Sequence, residues 1–183
     1  MTAAVILAAG ASTRLGEPKQ LVRLGGETLL ERAVRVAHEA ELSPVIAVVH
    51  DAALIERLQS QKAEVLLNRR YYEGMSTSIQ SGVQWAEGRG ASGVVIMTCD
   101  QPAVTAEHLR KLMATGQLTA SAYAGRRGVP VYFPESSFPE LLRLKGDQGA
   151  RELLRDAVTI ELPGGELDID TAPDLAEAIR RFQ

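Results

Sequence analysis

A chain of 183 residues, 45% of them hydrophobic and 23% charged, has the size and balance of one globular domain able to bury roughly 70% of its unfolded surface. Its net charge of −3 excludes the basic surface of a general nucleic-acid binder, so any anion site must be a local gathering of cations. The single Cys99 excludes an internal disulfide and a cysteine-based zinc cluster, and no apolar run approaches the ~20 residues of a membrane span.

Ala3 to Ala9 is a short apolar run ended by Gly10, the pattern of a strand buried on both faces. It also lacks the charged start and the length of a signal peptide, so a cytoplasmic location is expected. The stretch Val5 to Lys19, V-I-L-A-A-G-A-S-T-R-L-G-E-P-K, adds Gly10, Gly16, the small Ala11 and Ser12, and the cations Arg14 and Lys19. Small residues let backbone N–H groups approach an anion, and the cations supply charge that the backbone lacks. A strand feeding such a loop is where open α/β sheets bind ligands, so the loop is expected to wrap a polyphosphate. Lys19 is followed by Gln20 and not preceded by glycine, which excludes the P-loop pattern, and Gly10-Ala11-Ser12 excludes G-x-G-x-x-G. A turn with solvated charges after an edge strand is the plain alternative.

Thr28 and Glu31 form a capping box that opens a helix with Leu29, Ala33, Val36, Ala37 and Ala40 on one face. Pro44 precedes a second buried strand, Val45 to Val49. Residues 52–61 read as a helix with Leu54 and Leu58 inward, and Glu64 to Leu67 as a third strand. This β-α-β-α-β order predicts a parallel sheet with helices on both sides. Asn68 to Gly82, N-R-R-Y-Y-E-G-M-S-T-S-I-Q-S-G, follows a strand and belongs on the same sheet edge as the first loop. Ser76 or Thr77 is predicted to cap a helix running to Trp85; a plain βα loop is the alternative. Gly93 to Thr98 is the most apolar strand and delivers Cys99, Asp100, Gln101 and Pro102. A carboxylate at the end of a central strand suits Mg²⁺ held against phosphates, against a bland role as a turn residue before Pro102. Cys99, with no histidine near it in sequence, reads as a buried filler rather than a nucleophile. Thr105 is predicted to cap a helix through Leu109, Leu112 and Met113, stopped by Gly116.

The last third changes character. Residues 120–133 read as two strands joined through G-R-R-G, a hairpin outside the β-α alternation. G-D-Q-G-A-R, Gly146 to Arg151, is predicted to open a helix through Leu153 and Leu154 and to make a second anion-friendly site. After a strand from Val158 to Leu162 comes L-D-I-D-T-A-P-D, in which Thr171 and Asp174 resemble a helix cap. Asp170 is then either part of that helix start or a second carboxylate for the metal that Asp100 holds. His38, His50 and His108 have no ligand spacing and read as surface or packing residues. The expected fold is α/β, a Rossmann-like mostly parallel sheet in three layers with a small β-hairpin insertion in the C-terminal third, forming a single domain over residues 1–183.

Six motifs together resemble the molybdenum cofactor cytidylyltransferase family, one of the nucleotidyltransferases with a Rossmann-like, glycosyltransferase-A-type sheet: L-A-A-G-A-S-T-R-L-G-E-P-K, N-x5-G-M-S-T-S-I-x2-G, T-C-D-Q-P, G-x-P-V-Y-F, G-D-Q-G-A-R and D-I-D-T-x-x-D-L. The first marks the wider superfamily, while G-M-S-T-S, D-Q-P and G-D-Q-G-A-R point to this branch. Leu15 departs from the methionine that relatives commonly carry, an apolar exchange. The resemblance implies transfer of CMP from CTP to the terminal phosphate of molybdopterin, with pyrophosphate released and Mg²⁺, or Mn²⁺ in its stead, as cofactor. It implies Ala8, Ala9 and Gly10 against the base and ribose, with Ser12 in the same nucleotide-binding loop. Arg14 and Lys19 would hold the triphosphate and, with Asp100, carry catalysis. Gly74 and Ser78 would complete the base pocket, and Asp100 and Asp170 would bind the metal. Gly128, Pro130, Asp147, Gly149 and Arg151 would border the acceptor. Residues 1–118 would then be the nucleotide half and 119–183 the acceptor half.

CTP and the molybdenum cofactor are the implied partners, with a transient contact to a molybdoenzyme or its chaperone, and neither nucleic acid nor membrane. The related guanylyltransferases read L-A-G-G, so the Ala9 methyl narrows the pocket and favours a pyrimidine. A phosphate monoester with a second pKa near ~6 needs no general base at neutral pH, which fits the absence of a catalytic histidine. Two rivals stand beside this reading. One is transfer to a sugar or alditol phosphate. The other is a non-catalytic nucleotide-binding subunit that delivers cofactor, against which Lys19, Asp100 and Asp170 together argue.

Overall fold

Short apolar strands and amphipathic helices alternate along the first two thirds of the chain, and a seven-stranded sheet gathers them. A computed structural model describes residues 1–10, 15–55 and 62–182. The strands of the sheet are β1 (Thr2–Ala8), β4 (Val45–Val49), β5 (Glu64–Leu67), β6 (Gly93–Thr98), β7 (Thr119–Tyr123), β8 (Arg126–Pro134) and β9 (Val158–Glu161). A separate ribbon pairs β2 (Arg23–Leu24) with β3 (Glu27–Thr28). The helices are α1 (Leu29–Glu39), α2 (Met75–Glu87), α3 (Ala106–Ala114), the single turn α4 (Phe138–Leu141) and α5 (Ala172–Phe182).

The order across the sheet is β5-β4-β1-β6-β8-β7-β9. β5, β4, β1 and β6 are mutually parallel, and β9 is parallel to β7. Only β8 runs the other way, antiparallel to both β6 and β7. The α/β fold class expected from the sequence is therefore the one observed. Central β1 shows why it reads as a continuous apolar run: Ala4, Ile6 and Ala8 face the core under α1 and α3, while Ala3, Val5 and Leu7 face the core under α2 and α4. On the α2 side a Cβ at Gly82 would run into the Val5 side chain, so glycine sets that close approach. A third cluster joins Val22, Leu24 and Leu29 to Ile169 and Ala178, docking α5 on the small ribbon.

Several predicted elements keep their place. The Thr28–Glu31 box is complete, with each side chain bonded to the other's backbone N–H, and Thr105 caps α3. Cys99 and His108 are buried packing residues. Residues 53–55 are helical, while Leu58 and the rest of that predicted helix lie outside the described residues.

Three expectations are corrected. The hairpin turns at Ala124–Gly125, both at positive φ, so Arg126, Arg127 and Gly128 already belong to β8; the pair is woven into the main sheet through β6. G-D-Q-G-A-R opens no α-helix: two short 3-10 turns, Gly146–Gln148 and Arg151–Leu154, flank Gly149 at φ +56°. Neither Ser76 nor Thr77 caps α2, whose N-cap is Gly74.

Candidate active site

Parallel strands deliver their carboxyl ends to one edge, and helices returning from that edge start there. In register, Ala8 pairs with Val49 and Val49 with Leu67, which places Ala9, His50 and Asn68 side by side just beyond three neighbouring strands. β6 ends one strand further over, at Thr98, with Cys99 and Asp100 next in the chain.

Lys19 is the centre of this edge. Its Nζ donates to Asp100 Oδ2 at 2.7 Å and to Asp170 Oδ1 at 2.6 Å. The Lys19 and Asp100 side chains are each 15% exposed and that of Asp170 33%. Burial alone would discharge the lysine, but the two carboxylates outweigh it and hold the ammonium above its usual range. The sequence links these groups through four tethers. Gln20, 1% exposed, donates from Nε2 to the Ala8 carbonyl at 2.5 Å and so fixes the 3-10 turn Lys19–Leu21 to the end of β1. Ile169 N donates to the Asp100 carbonyl at 3.0 Å, which brings Asp170 beside Asp100. The Val22–Ile169 cluster closes the same approach from below. Finally, the helix cap belongs to Thr171 and Asp174: the Asp174 carboxylate accepts from Thr171 N at 2.8 Å, and the Thr171 hydroxyl accepts from Asp174 N at 3.4 Å. The side chain of Asp170 accepts from Lys19 instead of from the helix start.

Two carboxylate oxygens converging on one cationic atom are a donor set that fits a hard divalent ion. Among the described residues no three side chains of histidine, cysteine, aspartate or glutamate form a metal cage, so water and ligand oxygens would fill the remaining positions. Nearby Asp168 has its carboxyl pushed up to about 6 by burial and the Asp100 charge, with Arg126 opposing.

The other sequence-predicted residues fall into separate settings. Ala8 and Ala9 are buried, while Gly10 is exposed and a Cβ there would meet nothing within 4 Å. Ser12 and Arg14 lie outside the described residues. Ser78 is buried, its hydroxyl accepting from Asn68 Nδ2 at 2.9 Å. Gly74, at φ +112°, touches the second candidate loop: a Cβ would stand 2.5 Å from the Gly146 carbonyl carbon. Asp147 reaches across to accept from Met75 N at 3.3 Å, supplying the cap that α2 lacks locally. Gly149 faces the Met75 sulfur. Gly128 gives way to the Tyr123 hydroxyl, which accepts from Gln101 Nε2 at 3.1 Å, so it is tied to the turn after Asp100. Pro130 is buried and its carbonyl accepts from Ser121. Arg151 is exposed, with no hydrogen bond to the other candidates among the described residues.

Gln20 and Asn68 carry the site and have no role in the sequence reading. Asn68 opens the N-x5-G-M-S-T-S motif, a usable signal. Its amide bonds both Thr77 and Ser78 while its oxygen accepts from Arg70 N. Gln20 has no such signal, because a glutamine after a loop lysine reads as solvated.

Residues 4–161 match the family described as MobA-like NTP transferase domain. The purine catabolism protein PucB of Bacillus subtilis (strain 168) is 32% identical, over 97% of this chain and 95% of its own. A probable molybdenum cofactor guanylyltransferase of Opitutus terrae is 34% identical over 57% of this chain and 50% of its own. The crystal structure of Rv0371c from Mycobacterium tuberculosis H37Rv superposes with a TM-score of 0.81 at 29% identity, over 98% of each chain; a manganese complex of Rv0371c has also been solved.

Proposed function

Because the chain belongs to the family of MobA-like NTP transferase domains and is a nucleotidyltransferase, we propose that it transfers CMP from CTP to the terminal phosphate of molybdopterin, releasing pyrophosphate. Mg²⁺ is the proposed metal. The observation that carries the reading is Lys19 Nζ held between Asp100 and Asp170 at the carboxyl edge of the sheet. In-line transfer between phosphates asks for positioning and charge neutralisation rather than a proton-transfer residue. A divalent ion bound by Asp100 and Asp170 would neutralise triphosphate charge. Lys19, with its carboxylate partners so engaged, would turn its donors to the phosphates, joined by Arg14. Residues 1–118 would hold the nucleotide, with Ala8, Ala9, Gly10 and Ser12 near the base and ribose and Gly74 and Ser78 beyond them. Residues 119–183 would hold the acceptor through Gly128, Pro130, Asp147, Gly149 and Arg151.

The experiment is turnover of CTP against GTP with molybdopterin supplied, followed by pyrophosphate release. A kcat/KM ratio at least tenfold in favour of CTP is expected. The reverse ratio would assign guanylyl transfer, the reading that the name of the Opitutus relative favours. Release of no more than one equivalent of pyrophosphate per protein would instead point to a delivery subunit.

A further inference from the structure

A groove of about 650 Å³ lies between α2 and the segment Leu142–Gly146, apart from Lys19, Asp100 and Asp170, none of which lines it. Its walls are fixed. Gln80 Nε2 donates to the carbonyls of Leu142 and Leu144 at 3.1 and 2.8 Å, and Asp147 holds the first N–H of α2. Three cations line it, Arg70, Arg143 and Lys145, against the carboxylate of Glu73, with that of Asp147 at the start of α2, in a chain whose net charge is −3. Glu73 is committed to Arg70 at 2.7 Å, whereas Arg143 and Lys145 make no ion pair among the described residues. Ser76 also lines the groove. It is 2% exposed, and its hydroxyl makes no hydrogen bond among the described residues. With the rest of the residue buried, that hydroxyl opens into the groove, where it is available to a ligand. The positive end of the thirteen-residue α2 lies along the same wall.

We propose that this groove is a second anion site, taking one phosphate or carboxylate group between Ser76, Arg143 and Lys145. The group is carried by the acceptor, whose other end reaches the Lys19 edge. The same chemistry could come from a free inorganic anion. The acceptor assignment rests on the proposed transfer reaction; the site itself does not.

Inorganic phosphate titrated into the ¹⁵N-labelled full chain tests the site. Saturating amide shifts are expected at Ser76, Thr77 and Gly146, and Arg143→Glu with Lys145→Glu should weaken the apparent Kd at least tenfold. Both side chains are exposed and unpaired, so the fold should tolerate reversal. Ser76→Ala should weaken binding several-fold with the fold intact. Shifts confined to Gly10 and Lys19, or shifts at Ser76 indifferent to the charge reversal, would overturn the proposal. Kinetics of the double variant then name the source. A tenfold rise in acceptor KM with nucleotide KM unchanged is the expected result. Unchanged kinetics despite lost phosphate binding would assign the groove to a free anion and overturn the acceptor assignment. Phosphate binding in a chain that shows no transfer would leave the site standing and remove the proposed function.

Discussion

Lys19 Nζ stands 2.6 Å from Asp170 Oδ1 across 151 residues of chain, and the same ammonium bonds Asp100. Among the described residues this ammonium bridges two carboxylates that the tertiary structure brings together.

Lys19→Ala is therefore expected to do more than slow the reaction. A lysine on a glycine-rich loop reads from the sequence as a solvated charge of little structural weight. Here its removal takes a charged hydrogen bond from each of two partly buried carboxylates, a loss of about 2 kcal/mol. Thermal denaturation should show a Tm lower by several degrees, recovered on adding Mg²⁺, while turnover falls roughly 10²–10³-fold. A Tm equal to that of the parent protein would contradict the ion-pair account.

Asp170 and Thr171 separate a chemical role from a structural one. Asp170→Asn should leave α5 folded, because the cap bonds belong to Thr171 and Asp174, yet metal-dependent turnover should fall roughly 10²–10³-fold. Thr171→Ala should cost about 1 kcal/mol of stability and keep most of the activity. Circular dichroism and kcat/KM on both variants decide; near-normal kinetics for Asp170→Asn would remove it from the site.

Gly74 and Gly10 make a second contrast. Gly74→Ala forces a side chain against the Gly146 backbone at φ +112° and is expected to cost about 2–3 kcal/mol. Gly10→Ala meets nothing within 4 Å, so its stability should be unchanged and any loss of nucleotide affinity reports a ligand contact. Urea midpoints and nucleotide KM for the pair would show whether this division holds.

Stability should fall in acid through His108. The ring is 6% exposed, and its Nε2 lies 2.8 Å from Ser121 Oγ. Ser121 donates to the Pro130 carbonyl, so Nε2 must carry the proton of a neutral ring. Burial, helped by Lys111, pulls the folded-state value down to about 4 from 6.5. Between those values the unfolded chain binds the extra proton, so stability is full above 6.5 and drains as pH falls toward 4. At pH 5 the loss attributable to His108 is about 2 kcal/mol. By urea unfolding, the free energy lost between pH 7 and 5 should be larger in the parent protein than in His108→Gln by about that amount, and equal pH dependence would refute it.

The base should be read in part by Ala9. If its methyl occupies purine space, Ala9→Gly narrows the CTP/GTP ratio by roughly 10–200-fold at most, the worth of one methyl in a pocket. An unchanged ratio would move specificity elsewhere along the edge formed with His50 and Asn68.

Strand identity was legible because β1, β4 and β6 are buried on both faces, and a continuous apolar run ended by a turn has few other uses. The carboxyl edge followed from topology, and Asp100 with it, since a strand delivers the residue after it to that edge. Capping boxes such as Thr28–Glu31 were legible for the same local reason. What the chain pattern could not decide was which distant groups meet. Gln20 reads in sequence as a solvated side chain, yet it is buried against the Ala8 carbonyl. Asp170 reads equally as part of a helix start or as a second metal carboxylate until Ile169 bonds Asp100 and the α5 cluster packs on Val22. The cap of α2 comes from Asp147, 72 residues away, where local rules offered only Ser76 or Thr77. Backbone preferences act over a few residues and are written in the chain. Partners for a buried charge or an orphaned N–H are chosen by packing, and only the folded structure supplies them.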